Sequence, residues 1–122
     1  MKQFQLICSA VLLLGSSQLH AQSADLAEED IQHINGCALI AGTQCPGVDL
    51  RGADLRHMDL RKADFTGANL SGADLRHAIL DQAQLDQANL QDANLARASL
   101  QQTAMRGANA DGANFMGASA WN

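Results

Sequence analysis

The sequence contains no Tyr, one Trp and one Pro, and aromatic residues make up only 3% of it. A core must therefore be filled by Leu and Ala, which demands regular packing rather than a few large rings. Lys and Arg are also scarce. Eight stand against thirteen Asp and Glu, a formal net charge of −5 and the wrong balance for a nucleic-acid binder. There is no HExxH, no CxxC and no Ser/His/Asp grouping, so no cofactor and no catalytic residue is expected. The longest apolar run, around Leu6 to Leu14, is about half the roughly 20 residues needed to cross a bilayer. The scarcity of Pro and the 17% of charged residues argue against a disordered tail, and 122 residues leave room for one small domain.

That short apolar run reads as an address. Met1 and Lys2 open a positive segment, the apolar stretch follows, and Leu19-His20-Ala21 offers a cleavage point after Ala21. Residues 1–21 are thus expected to be a removed signal peptide, and the protein to be exported to the periplasm or the medium. Removal takes Lys2 and Cys8 with it. The net charge becomes −6, and Cys37 and Cys45 remain as an even pair in an oxidising compartment. A disulfide is the default reading, and two reduced, buried cysteines are the alternative.

From Val48 to Asn122 the sequence divides into fifteen consecutive fives without an insertion. The third residue of each is Leu50, Leu55, Leu60, Phe65, Leu70, Leu75, Leu80, Leu85, Leu90, Leu95, Leu100, Met105, Ala110, Phe115 and Ala120. The first is almost always Ala, with Val48, Met58 and Thr103 as exceptions, and the second is mostly Asp, Asn or Ser. An α-helix advances about 100° per residue, so a row at every fifth position would wind round its whole surface. A flat strand wants alternation instead. Only a backbone that turns a corner every five residues brings all these side chains inward, which is a solenoid.

The runs Ala53-Asp54-Leu55-Arg56-His57, Ala63-Asp64-Phe65-Thr66-Gly67 and Ala68-Asn69-Leu70-Ser71-Gly72 resemble the pentapeptide-repeat family, whose consensus is A(D/N)LXX. The resemblance implies an all-β solenoid, a right-handed quadrilateral β-helix with four fives per coil. The sequence lends its own support, because residues 73–77 repeat residues 53–57 twenty later. Fifteen fives then make about 3.75 coils and a rod roughly 18 Å long at about 4.8 Å per coil. Thirteen of the third-position residues, Leu50 to Leu100 with Met105 and Phe115, form the expected core.

Open strand edges at either end of such a stack need covering. Asp25 with Glu28 makes a capping box, Ala27, Ile31 and Ile34 share a face, and Asn35-Gly36 is a stop signal. A short N-terminal capping α-helix is therefore expected at about 26–34, within a cap of residues 22–47 whose link to the rod is stapled by Cys37 and Cys45. At the other end Phe115, Met116 and Trp121 gather without a capping helix. Either Trp121 folds over the last coil, or two copies meet there as an end-to-end homodimer.

Twenty-residue stacking also predicts surface ladders. His57, His77 and Arg97 should lie in one column, the two imidazoles being weak metal candidates that lack a third ligand. Arg61 over Asp81 and Asp86 beneath Arg106 should be exposed ion pairs. Asn69, Asn89 and Asn109 should satisfy turn backbone, and Asp54 over Asp74 is a like-charge pair tolerated by hydration. The function that fits is an exported, non-catalytic structural or protein-interaction module. Some members of the resembling family imitate DNA and bind type II topoisomerases. Here that reading is weakened by export and by a rod of nine Asp against seven basic residues, a net of −2.

Overall fold

A computed structural model describes residues 30–121. The chain divides into two units, Met1–Ile31 and Gln32–Asn122, and the account below concerns the second. The expected leader (residues 1–21) and residues 26–29 of the expected helix lie outside the described residues.

Within the second unit the fives do turn corners. Each corner is closed by a hydrogen bond from the first residue of one five to the third residue of the five before, as in Ala73 N–H to Leu70 O at 3.0 Å. The fifth residue has positive φ at every corner, from Gly42 (77°) to Gly117 (73°), as the third position of a type II turn requires. Glycine fills that position at eight of the described corners and adopts it without steric cost.

The coils stack by parallel bridges whose partners are twenty residues apart, from Gln44 with Asp64 to Ser99 with Ser119. Three inter-coil bonds recur per five. Leu75 N–H donates to Asn94 O (2.7 Å), His77 N–H to Ala96 O (3.1 Å), and Asp74 N–H to Ala53 O (2.9 Å). The register opens at Gln44, one five upstream of Val48, so Cys45 occupies a third-position site beneath Phe65.

The axis is filled as the sequence demands. Leu50 through Leu100, with Phe65 among them, are buried, and so is the Ala row from Ala63 to Ala98. Met105 and Phe115 pack against this core while partly exposed. Cys37 and Leu39, upstream of the regular fives, belong to it too. Burying one such Leu contributes roughly 2 kcal/mol. Thr103, an exception in the Ala row, donates its Oγ1 hydrogen to Leu80 O at 2.7 Å, which disposes of its polar atom.

The expected helix at about 26–34 is not what its described portion adopts. His33–Ile34 (β1) pairs antiparallel with Cys37–Ala38 (β2), joined by Asn35-Gly36 with φ of 52° and 81°. Two successive positive φ values are the signature of a tight hairpin turn, for which Asn-Gly is the preferred pair. The two residues therefore reverse a strand rather than stop a helix. Asn35 Nδ2 then donates to Asp49 O at 2.7 Å. In the next coil the equivalent carbonyl, Asn69 O, accepts from Leu50 N–H, so the Asn35 amide replaces the bond a preceding coil would make. Cys37 and Cys45 bring their sulfurs to 2.12 Å, with Cα atoms 5.7 Å apart, and tie this hairpin to the first turns of the solenoid.

Candidate interaction surface

The core leaves positions two, four and five of each five to form the outer wall. Position two works on the backbone. Its Asp or Asn side chain accepts the N–H two residues on, as in Asp64 with Thr66 (3.0 Å), Asn69 with Ser71 (3.1 Å) and Asn94 with Ala96 (3.1 Å). These Asx turns satisfy N–H groups that face outward at the corners. The Asn69, Asn89 and Asn109 column acts in this way throughout.

At Ser99 and Ala104, where position two cannot serve, the coil beneath does. Ser99 is too short, and Asp81 Oδ1 accepts both Gln101 N–H (3.0 Å) and the Ser99 hydroxyl (2.6 Å). Ala104 has no acceptor, and Asp86 Oδ1 takes Arg106 N–H at 2.8 Å while Oδ2 takes its guanidinium at 3.0 Å. The expected Asp86–Arg106 pair is thus present, with a backbone role that the charge pattern alone did not reveal. The expected Arg61–Asp81 pair is not formed. Arg61 grips Asp59 instead, Nε to Oδ1 at 2.8 Å and Nη2 to Oδ2 at 2.6 Å, because a partner two residues away on the same turn is nearer than one a coil above.

The same two-pronged fork recurs at Asp49–Arg51, Asp54–Arg56 and Asp74–Arg76. Its electrostatic effect is consistent. Hydrogen bonds from the Arg56 side chain, and then from its backbone N–H, hold the Asp54 carboxyl at about 2 against an ordinary 3.8. The Arg76 fork lowers Asp74 in the same direction, and the Thr66 hydroxyl lowers Asp64. Asp54 and Asp74 do bridge one above the other, but hydration is not the whole reason they tolerate it: Arg56 Nε also lies 3.9 Å from Asp74 Oδ2.

His57 and His77 stack as the twenty-residue register requires, ring centroids 4.9 Å apart and planes within 7°. The third rung is Arg97, and among the described residues no group of three or more His, Cys, Asp or Glu converges on a metal position. The coil of residues 103–121 presents a different surface. Met116 is 76% exposed and Trp121 69%, so Trp121 does not fold over the coil. Phe115 of the same cluster packs inward. The N–H groups of Met105, Gly107, Ala110, Gly112, Phe115 and Gly117, whose counterparts below donate to the next coil, meet no acceptor among the described residues.

With the repeat geometry established, likeness to known proteins follows its register. Residues 43–82 and 83–119 match the pentapeptide repeat family, in eight copies. The chain belongs to this family.

Pentapeptide repeat proteins form right-handed β-helix solenoids. Among solved structures, the chain is similar to HetL, a pentapeptide repeat protein involved in heterocyst differentiation regulation from the cyanobacterium Nostoc sp. strain PCC 7120. Identity is 30% over 63% of this chain and 48% of that one, with a TM-score of 0.42, so the chain spans about half the length of HetL. It is also similar to a pentapeptide repeat protein of the Arabidopsis thaliana thylakoid lumen, at 31% identity over 71% of this chain and 74% of that one, TM-score 0.44. A third likeness is to QnrB1, a plasmid-mediated fluoroquinolone resistance protein, at 24% identity over 67% and 49% of the two chains, TM-score 0.38. No curated protein sequence matches significantly.

Proposed function

We propose that this pentapeptide repeat protein is an exported, non-catalytic interaction module, a right-handed square solenoid of about 3.75 coils beyond Val48, that associates with a second copy through the coil of residues 103–121. One observation carries the reading. Met116 and Trp121 are exposed beside a row of backbone N–H groups without partners, and such an edge is a template for pairing with another chain. The outer wall elsewhere exposes no comparably large apolar side chain among the described residues. Export is supported by the apolar leader and by the Cys37–Cys45 pair, which is stable in an oxidising compartment. Among the described residues no helix is long and apolar enough to cross a membrane.

Imitation of DNA is a weaker reading. Asp49, Asp54, Asp59 and Asp74 are each held by an arginine of the same turn, so they do not present the free, evenly spaced negative charge of a phosphate backbone. Light scattering after size exclusion tests the proposal. The wild-type chain should elute as a dimer and Trp121→Asp as a monomer of unchanged circular dichroism. A monomeric wild type at high micromolar concentration would refute self-association.

A further inference from the structure

The open edge of residues 103–121 carries acceptors as well as donors. On each wall of that coil the first residue's C=O and the third residue's N–H flank the second residue. One coil beneath, both groups are used: Ala88 O accepts from Asn109 N–H, and Leu90 N–H donates to Asn109 O. Their counterparts Thr103 O, Ala108 O, Ala113 O and Ala118 O meet no backbone donor among the described residues, and Met105, Ala110, Phe115 and Ala120 N–H no acceptor. A C=O and an N–H on either side of one residue also form the wide pair of an antiparallel ladder, each copy donating and accepting once. Two copies related by a two-fold axis across the coil axis run antiparallel where they meet. The edge is therefore complementary to itself.

Resting on the self-association read above, we propose that the two copies meet about a two-fold axis through the walls centred on Asn109 and Ser119. The corners select this axis. Arg106, Asp111, Met116 and Trp121 stand at the fourth positions of four successive fives, one per corner, and all are exposed. About the proposed axis Arg106 faces the partner's Asp111 and Met116 faces the partner's Trp121, each pair occurring twice. The Asp111 carboxylate has no partner among the described residues. Arg106 is engaged only through its backbone N–H and Nη2, both to Asp86, which leaves Nε and Nη1 as donors. Every other two-fold is mismatched. An axis through the walls of Ala104 and Asn114 sets Met116 against the partner's Asp111. Through the corners of Arg106 and Met116 it sets Arg106 against the partner's Arg106, and through the remaining corners Asp111 against the partner's Asp111. Like charges so placed oppose association, whereas an exposed opposite pair fixes orientation more than strength. Burial of Met116 and Trp121 supplies the strength.

Charge exchange between two preparations of the full chain tests the axis. Asp111→Arg alone and Arg106→Asp alone should each dimerise about tenfold or more less tightly than wild type, because each meets its own charge across the interface. Their equimolar mixture should recover the dimer, since both cross-pairs are then opposite in sign. Circular dichroism and thermal midpoint near those of wild type establish that the variants are folded. Crosslinking gives a second reading that needs no change of charge. Across the proposed axis Ser119 opposes the partner's Ser119 with Cα atoms about 4.5 Å apart, within reach of a disulfide. Ser119→Cys should therefore crosslink to a dimer under mild oxidation, and Ala104→Cys, which faces the partner's Asn114, should not. A mixture no tighter than either variant alone, or a dimer crosslinked by Ala104→Cys and not by Ser119→Cys, would overturn the axis while leaving self-association intact. A monomeric wild type would overturn both.

Discussion

The fifth position of the repeat is where sequence and backbone are in tension. Eight solenoid corners place a side-chain-bearing residue in the left-handed region, among them His57, Lys62, Gln82, Gln87 and Arg97 with φ of 61–62°. Each such residue costs about 1 kcal/mol relative to a conformation it prefers. Gln82→Gly should therefore raise stability by roughly 0.5 kcal/mol, the relief being partly offset by the entropy of a freer unfolded chain. Gly67→Ala should lower it by about 1 kcal/mol although nothing lies within 4 Å of the added methyl, because the cost is conformational. Urea denaturation of the two variants checks both signs, and a shift of the same sign in both would contradict the turn assignment. The regular return of glycine at Gly47, Gly52, Gly67 and Gly72 was the available sequence signal for this row. The His, Lys, Gln, Asp and Arg residues at the other corners concealed it, since a residue other than glycine seldom adopts positive φ.

Aspartates at the second position make a prediction of their own. Asp49, Asp54, Asp59, Asp64 and Asp74, together with Asp86 at a fourth position, all have a carboxyl pKa lowered by hydrogen bonds from the N–H, hydroxyl or guanidinium groups described above. A carboxyl lowered in the folded state binds its proton more readily when unfolded. Its contribution is complete above the unfolded value near 3.9 and disappears as pH falls through the folded one, about 2 for Asp54. The arginines stay charged throughout and add no slope. Stability should be level from pH 7 to 5 and should fall steadily between about pH 4 and pH 2, and Asp54→Asn should flatten part of that fall. A midpoint unchanged between pH 5 and 2 would contradict it.

At the scale of elements, the hairpin of β1 and β2 shows why the cap was less legible than the rod. The capping-box spacing at Asp25 and Glu28 and the apolar face at Ile31 and Ile34 spell a helix on local grounds. Asn35-Gly36 serves equally as a helix stop and as a hairpin turn. The competition is settled by tertiary context: β2 carries Cys37 into the core, and Asn35 supplies the hydrogen bond that the first coil's edge lacks. Asn35→Ala should then cost about 1–2 kcal/mol, since it removes both that bond and a residue tolerant of positive φ. Asn35→Gly keeps the turn and loses only the bond, so thermal melts should place it between wild type and Asn35→Ala. Equal melting of all three would refute the capping role.

For the whole molecule the sequence was most informative, because a solenoid repeats one local rule. The uninterrupted fives by themselves locate the buried Leu row from Leu50 to Leu100 and the column of His57 and His77. What they did not reveal is pairing between side chains, as Arg61 and Asp59 illustrate, since stacking alone does not say whether a flexible arginine reaches along its own turn or up to the next. The coil of residues 103–121 departs from uniformity in a compensating way: Ala110 and Ala120 occupy third positions on opposite walls, and the larger Met105 and Phe115 stand on the other two. That coil also bears the surface assigned to self-association.

Everything rests on coils of twenty residues. Scalar couplings transmitted across hydrogen bonds in solution NMR report each N–H···O=C pair directly. They should link Leu75 N–H to the Asn94 carbonyl and Leu80 N–H to the Ser99 carbonyl, nineteen residues onward in both cases. Couplings from these amides to carbonyls four residues earlier, or to any separation other than nineteen, would contradict the account.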